Sequence, residues 1–315
     1  MSRAARCSGA LALAAVLAAC GNSGHGTTTT FATTPAATTT ATGLAPASSP
    51  AGRTMQELAT QLGTGLQKFR HDLAVSGRSQ PLATRQALLQ KLSTEFGSAD
   101  QSIAKASSSS PLGGQASGLD ALRGVTQPVA AFLAASSKAT TPAQMTKVYC
   151  NLRALDRLHR TVAAAEQRVN TQAQQLGAPA APLKVDRPTR GAWNVAMAAG
   201  CLGVVRDQFA ALTAASKKKQ AKQAAATADA VRAAMLQVRS GLGPGRASGN
   251  PAGVRGAATA LQKLATLEAT YMALVARSWR KGSISQSHRK QLEKQIPDAL
   301  KRASARVKAS GALNF

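Results

Sequence analysis

From Arg53 to the C-terminus, apolar side chains recur at steps of three and four residues, and this spacing constrains the fold more than any other feature of the chain. Such steps place apolar side chains on one face of an α-helix. The chain is rich in Ala and has only 3% aromatic residues, a composition that favours helix over sheet. Since no segment shows the alternating pattern of a strand, the sequence predicts an all-α multi-helix bundle.

We expect about seven or eight helices. They are predicted to cover residues 55–73, 82–103, 119–138, 141–176, 192–216, 218–240, 252–281 and 284–310, with loops at 107–118, 178–190 and 241–251. Thr141 and Pro142 have the pattern of an N-cap and a first-turn proline, and the heptad spacing that follows predicts the longest unbroken helix. Pro128 should kink or split its helix. Whether 218–240 continues the preceding helix stays open.

The N-terminal residues have the layout of an export signal. Arg3 and Arg6 precede an apolar stretch, 10–19, that is too short to cross a bilayer as a helix. It ends in LAAC at 17–20, followed by Gly21, which resembles the lipobox of bacterial lipoproteins. The resemblance covers only this segment. It implies cleavage before Cys20 and a diacylglycerol thioether on Cys20; the alternative is an ordinary signal peptide with a cysteine near the cut.

Three parts of the chain follow from this: a signal peptide (1–19), a lipidated cysteine with a Thr/Ala/Pro-rich tether (20–52), and an all-α domain (53–315). The tether carries almost no charge and is too polar to fold. The resemblance implies an extracytoplasmic protein anchored by lipid to the outer face of the bacterial membrane. The apolar run at 192–205, interrupted by Gly200 and Gly203, is judged too short to span it.

The domain has two cysteines, Cys150 and Cys201. Exported chains meet oxidising conditions, so an even pair predicts a disulfide. The two residues lie on consecutive predicted helices, as in an antiparallel hairpin. Two unpaired buried thiols are the alternative.

Motifs for chemistry are missing from the sequence. There is no paired Cys-x-x-Cys, no His-Glu-x-x-His and no nucleophile elbow, so we predict no catalytic residue, metal ligand or cofactor. Asp156 and His159 have a di-iron-like spacing, but a di-iron bundle needs two such pairs and further carboxylates. A pocket between helices near His159, Glu166 and Trp193 would support a different function, ligand or metal binding.

Basic residues are in large excess: the chain has 39 Lys plus Arg and 13 Asp plus Glu, which gives a formal net charge of +26. The residues predicted to bind an anionic surface are Arg277, Arg280, Lys281, Arg289, Lys290, Lys294, Lys301 and Arg302, with Arg306 and Lys308 beyond them. A second cluster comprises Lys217, Lys218, Lys219 and Lys222. The alternative interpretation is a solvated helix face. Anionic lipids, wall polymers or a protein partner would suit these charges, whereas nucleic acid is disfavoured by compartment and by the scarcity of aromatics.

The leading functional prediction is therefore a non-enzymatic, membrane-anchored envelope lipoprotein whose basic helical domain contacts anionic envelope components or a partner protein. An extracytoplasmic ligand- or metal-binding module is the second, and an enzyme is the third.

Overall fold

The part of the chain that the structure describes contains helices and no strand, which confirms the predicted all-α bundle. The structure is a computed structural model that describes residues 50–109, 113–176, 188–282 and 285–313. Its helices are α1 (Pro50–Ser79), α2 (Leu82–Ser109), α3 (Gly113–Ser136), α4 (Pro142–Tyr149), α5 (Leu152–Gln175), α6 (Arg190–Lys217), α7 (Ala221–Gly241), α8 (Gly243–Arg246), α9 (Ala252–Lys281) and α10 (Gln286–Ala309). The predicted signal, Cys20, the tether to residue 49 and loop residues 177–187 lie outside these ranges.

Helix α6 is the central element of the bundle. It packs against α1, α4, α5, α7 and α9, and its buried residues are spread around its whole circumference. Helices α2, α3 and α5 pack in series on one another, and α7, α9 and α10 form a second series. By length and composition α6 qualifies as a candidate membrane span, but 67% of its most apolar window is buried within the bundle. That burial is typical of a core helix.

Helices α1 and α6 cross at glycines, which lets their backbones approach closely. A Cβ added to Gly77 would lie 2.8 Å from the Cα of Gly200, and one added to Gly203 would collide with the carbonyl oxygen of Gly77. Arg78, which follows Gly77, therefore sits directly against α6.

One predicted helix is broken in the structure. The stretch 141–176, predicted to be one helix, forms α4 and α5, separated at Cys150 and Asn151. The Asn151 side chain accepts a hydrogen bond from the Ala154 backbone N–H and so starts a new helix, although the heptad spacing continues. Thr141 does form the predicted N-cap, in a capping box with Gln144.

Other boundaries differ less. Pro128 lies inside a helix that continues from Gly113 to Ser136, so α3 does not split and the loop predicted at 107–118 is shorter. Helices α6 and α7 are separate, because the turn between them places Lys219 at a φ of 55°. The predicted loop at 241–251 contains the short helix α8.

A disulfide joins Cys150 to Cys201, as predicted, with a Cα–Cα distance of 4.8 Å. It connects the junction between α4 and α5 to the middle of α6. The cross-link thus fixes the broken helix to the centre of the bundle.

Candidate functional site

The predicted basic residues lie on the hairpin of α9 and α10. Gly282, in the left-handed conformation at a φ of 73°, ends α9, and the Ser285 side chain caps α10. Apolar residues such as Leu264 and Ile296 are buried towards the core. Most of the basic residues between them therefore point outward along a hairpin of about 45 Å, the length of a 30-residue helix.

Most of the predicted basic residues are exposed, and two of the eight form ion pairs with residues that the structure describes. Arg280 pairs with Asp229 of α7, and the Nε of the half-buried Arg289 lies 2.8 Å from a carboxylate oxygen of Glu293. The other six form no ion pair or hydrogen bond with the described residues: Arg277, Lys281, Lys290, Lys294, Lys301 and Arg302. Their charge is available to an external partner.

Four cations converge on a groove between α9 and α10, which we call the basic groove. They are Arg255 and Lys263 of α9 and Arg302 and Arg306 of α10. The groove has a volume of about 530 Å³, and no acidic residue lines it. Its floor is made of small residues, and the Cδ of Arg306 lies over Gly256, 3.8 Å from where a Cβ would stand.

No carboxylate among the described residues forms an ion pair with Arg255, Lys263, Arg302 or Arg306 of the basic groove. The Arg255 guanidinium donates hydrogen bonds to the backbone oxygens of Ser248 and Asn250, which position it without a counter-charge. Lys263 and Arg306 have no hydrogen-bond or ion-pair partner in the described ranges. Like charges held together attract an anion, and the attraction is screened by salt over a Debye length of about 10 Å at 0.1 M.

The sequence identified this site only in part. Arg302 is one of the predicted binding residues, and Arg306 belongs to the same cluster, but Arg255 and Lys263 were missed. Their spacing of eight residues places them on one face of α9. Pairing that face with α10 in an antiparallel hairpin would have brought both residues opposite Arg302 and Arg306.

The second predicted cluster lies elsewhere. Lys217, Lys218, Lys219 and Lys222 are exposed around the turn between α6 and α7, and none of them lines the basic groove.

The residues of the predicted ligand pocket are packed in the core. Trp193 stacks on His159 with ring centroids 5.4 Å apart, and its Nε1 donates to the Leu155 carbonyl oxygen at 3.1 Å. Glu166 accepts a hydrogen bond from Arg70 at 2.6 Å. His159, Glu166 and Trp193 are all buried and belong to the packing between α1, α5 and α6.

The Asp156–His159 pair has no metal-site geometry. Both oxygens of Asp156 accept hydrogen bonds from Arg190, at 2.6 and 2.8 Å. Burial acts to raise the pKa of Asp156, but the hydrogen bonds and charge of Arg190 outweigh it and lower the pKa. Within the described residues, no group of three or more His, Cys, Asp or Glu side chains is placed to hold a metal ion.

Comparison of the chain with protein-family models, curated proteins and solved structures found no match. The geometry and charge of the chain's own residues therefore carry the functional argument.

Proposed function

We propose that the chain is a non-enzymatic bacterial envelope lipoprotein, anchored by lipid on Cys20, whose basic groove binds the phosphate groups of anionic membrane lipids. The observation that carries the proposal is the convergence of four cations on an open groove that no acidic residue lines. The six unpaired basic residues of the predicted set extend the same charge along the hairpin.

The shape of the site suits a surface more than an enclosed solute. The groove is open and lies on an exposed hairpin, so several headgroups can be contacted at once. Each Lys or Arg near an anionic surface contributes about 1 kcal/mol. Lipid on Cys20 would hold the domain close to the membrane through the predicted tether.

Cosedimentation with vesicles tests the proposal. Residues 21–315 contain every buried residue of the described core and omit both the signal and Cys20. We expect this chain to bind vesicles with anionic phospholipid and not neutral vesicles, and to be released when salt rises from about 0.1 M to about 1 M. Salt-insensitive binding, or no binding, would contradict the proposal. If the chain binds only purified anionic wall polymer, the polymer and not the membrane lipid is the ligand of the basic groove.

A matched pair of variants separates the groove from net charge. Lys263→Gln, Arg302→Gln and Arg306→Gln together remove three charges from the groove, and Lys217→Gln, Lys218→Gln and Lys222→Gln remove three from the turn between α6 and α7. We expect the groove variant to lose at least about tenfold in vesicle affinity, given about 1 kcal/mol per cation, and the turn variant to lose much less. Equal losses would mean that only net charge matters.

The anchor is tested separately by feeding cells with labelled palmitate. We expect the full chain to become labelled and to fractionate with membranes, and the Cys20→Ser variant to do neither. A labelled Cys20→Ser variant would refute lipidation at this residue.

A further inference from the structure

A second cavity lies where the end of α1 meets α6, α9 and α10, and it shares no lining residue with the basic groove. Its walls are apolar and come from three helices, with Leu202 of α6, Leu261 of α9 and Leu300 of α10 among them. Three cations also line it: Arg78, Arg206 and Lys308. No Asp or Glu is among its lining residues. Its volume is about 80 Å³, room for roughly three water-sized groups.

Arg78 has no counterion in the described structure. It is half-buried and forms no hydrogen bond or ion pair with the described residues. Burial partly desolvates its guanidinium and so lowers the pKa of the group. Its place in the last turn of α1 suits the helix dipole, but the dipole supplies no hydrogen-bond acceptor to the guanidinium.

The carboxylate closest in sequence to the cavity is already engaged. Asp207 follows Arg206, but one of its carboxylate oxygens lies 2.6 Å from Nη1 of Arg85. Lys308, on the opposite helix, has no ion-pair partner among the described residues. Buried and half-buried cations are ordinarily paired with an anion, because desolvating an unpaired charge is unfavourable.

We propose that this cavity binds a small anionic amphiphile, a carboxylate or phosphate ester with a short alkyl group. The anionic group would lie against Arg78 and Lys308, since a guanidinium group binds carboxylate and phosphate through paired hydrogen bonds. The alkyl group, of about three or four carbons, would fill the space between the leucines. This site is independent of the basic groove. It would bind a dissolved small molecule, whereas the groove is proposed to bind a membrane surface.

Calorimetric titration of the full chain carrying Cys20→Ser tests the proposal, with butyrate and butyl phosphate as the two anionic probes. We expect saturable one-to-one binding of at least one of them below about 10 mM, and none of butanol or butylamine, which have the same alkyl group without the negative charge. The two anions show whether the site favours a carboxylate or a phosphate. Failure of both anions to saturate, or equal binding of butanol, would overturn the proposal.

Variants locate the binding. Arg78→Gln should weaken binding of the anion about tenfold or more, because it removes a charge-assisted hydrogen bond. Lys308→Gln is the second variant: the residue is exposed, so the fold tolerates the change, and we expect a loss of about threefold from one solvated charge. Lys294→Gln, a change of equal charge on the outer face of α10, should have no effect. Unchanged binding in both Arg78→Gln and Lys308→Gln would overturn the assignment.

A final control separates this site from the proposed function. The groove variant with Lys263, Arg302 and Arg306 changed to Gln should keep its affinity for the anionic probe while losing vesicle binding. If the groove variant loses the probe as strongly as Arg78→Gln does, the binding reflects general positive charge and the cavity is not the site.

Discussion

The ion pairing of charged residues differs between the helices from α1 to α6 and those from α7 to α10. In the first region, charged side chains reach between helices and pair: Arg70 with Glu166, Arg85 with Asp207 and Asp156 with Arg190. A disulfide lies in the same region. In the second region, most cations face outward and form no ion pair with a described residue, and Glu268 of α9 is 1% exposed with no hydrogen bond from any described residue.

The difference separates structural charge from charge that is available for binding. If a cation that pairs with a carboxylate on another helix were to bind a ligand instead, the protein would lose stability. Breaking a buried ion pair leaves the other charged group buried without a counterion. The unpaired cations of α9 and α10 contribute little to the fold, because exposed charges on a helix surface are well solvated. Mutations of the paired residues in the first region should therefore change stability, and mutations of the exposed cations in the second should change binding of an anionic surface.

The largest effect is expected at the Arg70–Glu166 pair, whose side chains are 3% and 5% exposed. Arg70→Met should destabilise the protein by about 3–5 kcal/mol, because it leaves Glu166 buried without its cation. Urea unfolding measures this. The double variant Arg70→Met with Glu166→Leu serves as the control and should recover much of the loss; a single variant within 1 kcal/mol of the parent would show that the pair is not structural.

Loss of the disulfide should come next. The Cys150–Cys201 bond closes a loop with a sequence separation of 51, and its removal should cost about 4 kcal/mol in the chain-entropy model. For a domain of this size that lowers the Tm by about 10 °C. Scanning calorimetry of the Cys150→Ala, Cys201→Ala double variant checks the value. An unchanged Tm would show that the unfolded chain is not constrained by the bond.

Glu268 gives a pH-dependent prediction for the second region. Burial raises the pKa of its carboxyl from 4.5 to about 8, so the folded state keeps the proton while the unfolded state releases it. The contribution of Glu268 to stability is therefore most favourable below about pH 4.5 and falls as pH rises towards 8. Glu268→Gln should nearly match the parent at pH 4.5 and exceed it by about 4 kcal/mol at pH 8.

Unfolding measured across this pH range checks the prediction, with Glu57→Gln on the exposed side of α1 as the control. If the stability difference between the parent and Glu268→Gln stays constant from pH 4.5 to 8, Glu268 is ionised or partnered in the folded protein.

The smallest effect on stability is expected at the basic groove. Changing Lys263, Arg302 and Arg306 to Gln should shift the free energy of unfolding by no more than about 0.5 kcal/mol per site, in either direction, since exposed cations without partners stabilise little. Urea unfolding beside the turn variant gives the comparison. A loss as large as that of Arg70→Met would mean that these cations are structural and would remove the contrast between the two regions.

Local signals in the sequence were sufficient for much of the fold. Residues 252–281 were predicted as one helix, and α9 has these bounds, because Pro251 and Gly282 mark its ends. The disulfide was predicted from the oxidising conditions that an exported chain meets and from the even number of cysteines in the domain. The break at Asn151 was missed, because a capping side chain inside a continuing heptad pattern looks like an ordinary polar position.

The sites depended on contacts that a single sequence does not reveal. Arg70 and Glu166 are 96 residues apart, and nothing local marks them as partners. The basic groove needs the register between α9 and α10, and the cavity beside Arg78 needs the close crossing of α1 and α6 at Gly77 and Gly203. Charge clustering indicated the right hairpin, but only the packing shows which cations converge.

The central claim is that the α9–α10 hairpin, and not the α1–α6 region, contacts an anionic membrane surface. An environment-sensitive fluorophore on a single added cysteine tests it in residues 21–315, with Thr266→Cys on the exposed face of α9 and Thr171→Cys on that of α5. We predict that anionic vesicles shift the emission of the label at Thr266 to the blue, that about 1 M salt reverses the shift, and that the label at Thr171 stays unchanged. Equal shifts at both positions, or a shift only at Thr171, would contradict the account.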